Sequence, residues 1–471
     1  MPQSKPNRRD FMKITGAGLA ASCARSKRPQ QPNVLFISVD DLNSRIGCYG
    51  DPVAKTPNID ALAGQGVRFE HGFSQWPSCL PSRASFMSGW HPERTRVFTF
   101  EPKARDGVMK DAVYLGQHFR NHGYFTSRID KIFHIGADDP ISWDESHDPF
   151  KDENGQNRIV RTTNEVVDNG LEDNVIEQGQ MTTFSGEKGN YAIVDAEDDK
   201  LIDGINTNRA IGLLEKSAES GQPFFMALGL RRPHLPWIAP KKYWDMYPRE
   251  EMTLPPMEPD LDPAKKTSED EHRRSIAGYY ACVSFTDALV GRVLGTLDRL
   301  DMRENTIVVL FGDQGYLLGE RNSHFGKGGL YDLSFRVPVI ISVPWMDEKD
   351  AVCRRSVQLL DLYPTLVELA GLQPPEHGLQ GRSLVPLINN PQADWDSRAV
   401  SFSYSSTRYG GLAISIRDDQ YRYSENADGV PIELYDYKTD PNEWNNVIQD
   451  SAYAQTLKNM QEKLGSRALY Q

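Results

Sequence analysis

The stretch Asn33-Val34-Leu35-Phe36-Ile37-Ser38-Val39, closed by Asp40-Asp41, decides the fold. A near-continuous apolar run of this length reads as a strand buried on both faces, as in a parallel sheet. Similar runs recur at Phe224 to Leu230, Thr306 to Phe311 and Val337 to Val343. Helical patterns lie between them, among them Ile59 to Gln65, Tyr114 to His122, Asn206 to Glu219 and Ser275 to Leu300. Strands alternating with helices predict an α/β fold with one large sheet covered on both faces. Ligands of such sheets bind beyond the carboxyl ends of the strands. Polar residues stand at those ends here: Asp40 and Asp41 after the first run, Arg231, Arg232 and His234 after the second, Asp313 and Gln314 after the third. One convergent site is expected.

The chain has 471 residues, too many for one small core, and its 39% hydrophobic content supplies a sizeable one. A net charge of −12 argues against non-specific nucleic-acid binding, which needs a basic field. It leaves room for an anionic substrate held by a local cluster of cations. Five cysteines, widely spaced and odd in number, argue against a disulfide framework, and none sits in a zinc-type cluster. No internal segment is apolar enough to cross a membrane.

At the amino end, Asn7-Arg8-Arg9-Asp10-Phe11-Met12-Lys13 precedes the weakly apolar Ile14 to Ala24. That pattern reads as a twin-arginine export signal over residues 1–31, with a basic tail as the plainer alternative. Export to the periplasm or cell surface is the expectation, and Ala20-Ala21-Ser22-Cys23 offers a lipid-anchor site at Cys23. Residues 32–390 read as the main domain. Residues 391–471 read as a small C-terminal α+β domain, with short alternating strands at Ala399 to Tyr404, Leu412 to Arg417, Tyr421 to Ser424 and Glu433 to Tyr437, and a helix over Ala452 to Leu464. Residues 144–200 are polar, with few apolar periodicities, and read as a surface insertion over or beside the site.

Two constellations carry chemistry. Asp40, Asp41, Asp313 and Gln314 offer only oxygen ligands, which suit Ca²⁺ or Mg²⁺ better than Zn²⁺. Asp40-Asp41 alone would serve equally as a turn or capping pair. Two such pairs, each closing a buried strand, favour a metal. The second constellation is Cys79-Leu80-Pro81-Ser82-Arg83. A lone Cys is most often a small buried hydrophobe; beside an Arg it is also a candidate nucleophile.

The pentapeptide resembles the Cys-x-Pro-Ser-Arg signature of the type I sulfatases. Val39-Asp40-Asp41-Leu42, Gly47-Cys48-Tyr49-Gly50 and Thr56-Pro57-Asn58-Ile59-Asp60 are similar to that family's opening, and Gly312-Asp313-Gln314-Gly315 to its second metal motif. Asp130-Lys131-Ile132-Phe133-His134 resembles the Gly-Lys-x-Phe-His run of the iduronate-2-sulfatase branch, with Asp130 in the place of Gly. Arg232-Pro233-His234-Leu235-Pro236 resembles the same branch's Lys-Pro-His-x-Pro, and Lys327 its sulfate-binding Lys, with His324 nearby as a competitor for that role. The resemblance runs from Asn33 to Val447.

It implies an alkaline-phosphatase-like sulfatase fold, a calcium ion (Mg²⁺ less so) on Asp40, Asp41, Asp313, Gln314 and residue 79, and oxidation of Cys79 to formylglycine by a maturation enzyme. It further implies that a formylglycine hydrate hydroxyl attacks sulfur to give a sulfated enzyme. Arg83, Lys131 and Lys327 would oppose the sulfate charge, with His234 as acid toward the leaving alcohol and His134 as the base that regenerates the aldehyde. Arg96, in Arg94-Thr95-Arg96-Val97-Phe98, is either a substrate-carboxylate partner or half of a structural salt bridge. The expected activity is sulfate removal, at a 2-O position of a uronic acid or related sugar, from a sulfated glycan. A formylglycine-dependent phosphonate or phosphodiester hydrolase is the alternative, and a non-catalytic glycan-binding protein the alternative if Cys79 stays a thiol.

Overall fold

The computed structural model describes residues 29–101, 105–148, 171–182, 188–259, 267–321 and 325–465. The twin-arginine motif, Cys23, His324 and much of the polar stretch 144–200 lie outside the described residues.

The strands are, in chain order, β1 (Asn33–Val39), β2 (Val67–Phe73), β3 (Phe125–Ile129), β4 (Glu145–His147), β5 (Val175–Thr182) and β6 (Lys188–Val194). Then come β7 (Phe224–Leu230), β8 (Trp237–Pro240), β9 (Thr306–Gly312) and the short pair β10 (Leu317–Leu318) and β11 (Phe325–Gly326). The chain continues through β12 (Arg336–Ser342), β13 (Ala351–Gln358), β14 (Ala399–Ser405), β15 (Gly411–Arg417), β16 (Tyr421–Asn426) and β17 (Pro431–Asp436). Eight of them form the main sheet, in the order β13-β2-β12-β9-β1-β7-β3-β4. β9, β1, β7, β3 and β4 are mutually parallel, and β13 is parallel to β2. β12 runs antiparallel to both of its neighbours, so the Val337 to Val343 run is buried as expected but departs from the parallel arrangement expected of it. An apolar run reports burial on two faces and carries no sign of direction.

β1 shows why the sheet is central. Leu35, Ile37 and Val39 enter one core with the helices Ile202–Ser220 and Glu269–Arg299, while Val34 and Phe36 enter the opposite core with Cys79–Ser88, Leu115–Asn121 and Leu362–Ala370. Alternate residues of a strand face opposite ways, so an apolar run is what a sheet covered on both sides requires. Full burial of each such side chain stabilises by roughly 1.5–3 kcal/mol. The long helix begins at Glu269, earlier than the Ser275 suggested by periodicity. Ser268 caps it by accepting from the Glu271 N–H at 3.3 Å, and three acidic residues fill its first turn, where the helix dipole favours them.

The strand ends define the site. Val39 is in register with Leu230 of β7 and with Gly312 of β9, so Asp40, Arg231 and Asp313 leave the sheet side by side. β3 ends at Ile129, opposite Leu228, and delivers Asp130 and Lys131 to the same edge.

Within the polar stretch 144–200, the described residues include the strands β4, β5 and β6. β5 and β6 form a hairpin, and β6 pairs in parallel with β8, just after His234. Toward the carboxyl end, β14-β15-β16-β17 form an antiparallel sheet, and Met460 and Leu464 of the helix Ala454–Leu464 share its core with Phe402, Ile414 and Trp76. The Phe402 N–H donates to the Gln75 carbonyl at 2.9 Å, and Ser401 Oγ donates to the Ser74 carbonyl at 2.5 Å. The segment entering Cys79 is thereby held by this second sheet.

Candidate active site around Cys79

Cys79 is the first residue of the helix Cys79–Ser88, whose ten residues are all buried. Helical spacing puts Cys79, Ser82 and Arg83 on one face. Ser82 Oγ donates to the Asp313 carbonyl at 2.5 Å, and Arg83 Nε donates to Asp313 Oδ2 at 2.8 Å, with Nη2 also 2.8 Å from that oxygen as an ion-pair contact rather than a hydrogen bond. Arg83 Nη1 also donates to the carbonyls of Lys131 and Ile132, so one fully buried guanidinium ties the helix to the ends of β9 and β3. At the helix N-terminus, unpaired N–H groups and the dipole favour an anion.

The Cys79 thiol is ringed by polar groups from separate strand ends. Sγ lies 3.4 Å from Asp40 Oδ1, 3.0 Å from Lys327 Nζ, 3.6 Å from Gln314 Nε2 and 3.7 Å from Lys131 Nζ. Lys131 also donates to Asp40 Oδ2, and Lys327 to Asp41 Oδ1 at 2.5 Å. Ligand atoms of Asp40, Cys79 and His234 all lie within 4.8 Å of one another. His234 is partly exposed, with Nε2 at 3.8 Å from Asp41 Oδ2 and Nδ1 at 2.5 Å from the Leu235 carbonyl.

Burial acts on these groups first, and their neighbours correct it. Burial, with Asp40 beside it, pushes the thiol up to about 11 despite Lys131 and Lys327, so at neutral pH it is a thiol and not a thiolate. Burial would raise Asp40 too, yet Lys131, His234, Lys327 and Arg83 together hold it well below the usual carboxylate range. Burial pushes Asp313 up to about 7 against the pull of Arg83. It also lowers the His234 ring to about 4, although Asp40 opposes this.

Asp40, Asp41 and Asp313 place carboxylate oxygens within 4.8 Å of one another, all three buried. Gln314 Nε2 lies against Asp40 and Asp41, while its buried Oε1 has no hydrogen-bond partner. A half-turn of that amide would add a fourth oxygen donor beside the three carboxylates. This all-oxygen set fits a hard divalent cation.

The structure thus brings together Asp40, Asp41, Cys79, Arg83, Lys131, His234, Asp313, Gln314 and Lys327. His134 feels the charges of Lys131, Asp40 and Arg83 without joining their hydrogen bonds. His134 is half-buried, packed on the Phe100 ring at 4.9 Å, with Nδ1 3.3 Å from the Ile135 carbonyl. Burial, with Lys131 nearby, lowers it to about 3. Arg96 is exposed at the end of the short helix Pro92–Thr95, in the left-handed region. Two supporting arrangements carry no forewarning in the sequence, the hold of Tyr279 on Asp41 and the pairing of Arg231 with Asp130. Asp41 is itself left-handed (φ 61°), and Tyr279, from the middle of the long helix, donates to its carbonyl at 2.8 Å. Arg231 grips Asp130. Tyr279 has no local sequence signal, whereas Asp130 stood out as the departure from a glycine.

Comparison with known proteins agrees with this geometry. The family model described as Sulfatase matches residues 32–372, and that described as N-sulphoglucosamine sulphohydrolase, C-terminal, matches residues 319–469. A sulfatase of Formosa agariphila is 31% identical over 467 residues, covering 92% of this chain and 86% of the relative. The iduronate 2-sulfatase of Homo sapiens is 32% identical over 399 residues, covering 73% of this chain and 70% of the relative. Among solved structures, a phosphonate monoester hydrolase from Silicibacter pomeroyi superposes with a TM-score of 0.76 at 23% identity, covering 92% of this chain and 94% of the other, a likeness of fold.

Proposed function

This chain belongs to the sulfatase family, and from that premise we propose that it removes sulfate, at a 2-O position of a uronic acid or related sugar, from a sulfated glycan. The observation that carries the reading is the meeting of Lys131, Lys327, Gln314 and Asp40 at the side chain of residue 79. Oxidised to formylglycine by a maturation enzyme, Cys79 would supply a hydrated aldehyde as nucleophile. A calcium ion held by Asp40, Asp41, Asp313 and Gln314 would supply charge and acidify that hydrate.

The chain's own residues account for the rest. Lys131 and Lys327 flank residue 79, with Nζ at 3.7 and 3.0 Å from Sγ, and would take sulfate oxygens there. Arg83, turned onto Asp313, fixes the helix that presents residue 79. In a water-poor pocket these fixed cations oppose the charge that builds on sulfate and leaving oxygen far more strongly than they would in water. A sugar alkoxide leaves poorly and needs a proton. His234 is placed to give one from Nε2, because Nδ1 is engaged by the Leu235 carbonyl. The approaching anion favours the protonated ring. His134, in its packed site beside Phe100, takes the role of second base, and Arg96 that of a partner for the sugar carboxylate. The preference for a 2-O-sulfated uronate rests on the motifs around Lys131 and His234 that resemble the iduronate-2-sulfatase branch, and on the 32% identity to the iduronate 2-sulfatase of Homo sapiens.

No helix among the described residues is long and apolar enough to cross a membrane. The amino-terminal motif supports export by the twin-arginine route to the periplasm or cell surface, with Cys23 as a lipid anchor.

The test is product release from matched esters. Protein co-produced with a formylglycine-generating enzyme is expected to liberate sulfate from an aryl sulfate, and from 2-O-sulfated uronate oligosaccharides ahead of 4-O- and 6-O-sulfated ones. Faster turnover of aryl phosphate or phosphonate esters would replace the sulfatase reading with that of a phosphonate or phosphodiester hydrolase. A 4-O or 6-O preference would remove the 2-O assignment alone.

A further inference from the structure

Asp130 stands where the resembling motif has glycine, and its backbone explains the glycine: φ is 53°, in the left-handed region. Aspartate tolerates that region better than most residues and adds a carboxylate that glycine cannot supply. Both of its oxygens are used. Oδ1 accepts from Arg231 Nη2 at 2.6 Å, and Oδ2 accepts from Arg231 Nε at 2.6 Å and from Asn206 Nδ2 at 2.7 Å. The result is a bidentate pair across the ends of β3 and β7, with Asp130 only 2% exposed.

Each partner adjoins a group of the site. Lys131 follows Asp130, and its backbone lies so close over β7 that a Cβ on Gly229 would stand 2.4 Å from the Lys131 carbonyl carbon. On the other side, the Arg231 carbonyl accepts the His234 N–H at 2.8 Å. Asp203, in the first turn of the helix Ile202–Ser220, accepts the N–H groups of Arg231 and Arg232, each at 2.8 Å. A lateral shift of either strand end would therefore move the sulfate-facing Lys131 and the proton-donating His234 relative to each other.

We infer that the buried Asp130–Arg231 pair is a positioning clamp that fixes Lys131 and His234 in one geometry, an inference that rests on the roles given to those two residues under the sulfatase reading. Neither Asp130 nor Arg231 touches Cys79. Arg231 also lies within reach of the Asp40 charge, an interaction that the Arg231→Lys variant retains, and the clamp acts through the backbone of the next residues. Misplacing a reacting group by about 1 Å can cost on the order of a hundredfold in rate.

The test compares the parent with Asp130→Asn, Arg231→Lys and the double variant Asp130→Asn/Arg231→Lys. Asn keeps the size and accepts the left-handed backbone; Lys keeps the charge and loses the fork. Each is assayed for kcat and KM on an aryl sulfate, whose leaving group needs little protonation, and on an alkyl sulfate, whose leaving group needs it. For a clamp, kcat on the alkyl ester falls about 10- to 100-fold in either single variant and falls less on the aryl ester, and the double variant is no worse than the poorer single one. The alkyl-to-aryl ratio is independent of the folded fraction, so a variant that merely folds poorly leaves it unchanged. An unchanged ratio in both single variants, or multiplying losses in the double one, overturns the clamp while an active parent leaves the sulfatase reading standing. A parent that turns over neither ester overturns both.

Discussion

Among single residues, the side chains that reach the atom at position 79 decide the chemistry. Lys327 is the sharpest case, since its Nζ lies 3.0 Å from Cys79 Sγ and 2.5 Å from Asp41 Oδ1. Replacing it by methionine keeps the length of the arm and deletes the charge. Lys327→Met is expected to lower kcat/KM for an aryl sulfate by roughly 10²–10³, the usual cost of removing one fixed donor from a site of developing charge. Steady-state kinetics on folded, fully matured protein reads this out. An unchanged value would reduce Lys327 to a structural partner for Asp41. Residue chemistry was the most legible layer of the sequence. Asp40, Asp41, Cys79, Arg83, Asp313 and Gln314 stand out because reactive types at strand ends and in a fixed pentapeptide leave a local trace, whereas Lys327 is marked only by the family resemblance. Tyr279 was not, for a buried tyrosine in a long helix looks like any other core residue, and only the fold shows that its hydroxyl holds the Asp41 carbonyl.

At the scale of elements, the strand ends organise the site, and they were legible where a strand is buried on both faces. β1, β7 and β9 are seven-residue strands buried throughout, and their apolar runs announce them. β2 carries Arg68, Glu70 and His71, and β3 buries Thr126, Ser127 and Arg128, so neither presents such a run. β5 and β6 were hidden in the same way, within a polar stretch. Helix starts were displaced where polar capping turns precede the first apolar residue, as at Ser268. A cap supplied from a distance leaves no sequence trace at all: Asp287, on the long helix, accepts the N–H groups of Asn58 at 3.0 Å and Ile59 at 2.8 Å, in the first turn of Pro57–Ala63. Asp287→Ala is expected to cost about 1–2 kcal/mol at pH 7 by orphaning those donors.

Burial pushes the Asp287 carboxyl up from 3.8 to about 6, so the folded protein holds that proton more tightly than the unfolded chain does. The stability it contributes is therefore fully present below the unfolded value and is lost as pH rises through about 6. The penalty for Asp287→Ala should be larger at pH 5 than at pH 7 by about 1 kcal/mol. Urea denaturation at the two pH values checks this. An equal penalty at both would show that the folded carboxyl titrates as it does in the open chain.

At the scale of the whole molecule, two cores sandwich one mostly parallel sheet, and a second, antiparallel sheet holds the segment that leads into Cys79. The division into a large α/β layer and a small C-terminal antiparallel unit was legible, since strand length and alternation change along the chain. The contact between them was not, because hydrogen bonds from Ser401 and Phe402 to Ser74 and Gln75 link positions more than three hundred residues apart. The ends of β1, β3, β7 and β9 converge on residue 79, and its chemical state decides the reaction. Protein made alongside a formylglycine-generating enzyme should be digested and the fragment spanning Cys79 examined by mass spectrometry. The expected mass is that in which the thiol has been replaced by an aldehyde oxygen, in proportion to the specific activity for sulfate release. A fragment carrying only the unmodified thiol, from protein that nonetheless releases sulfate at full rate, would contradict the formylglycine reading.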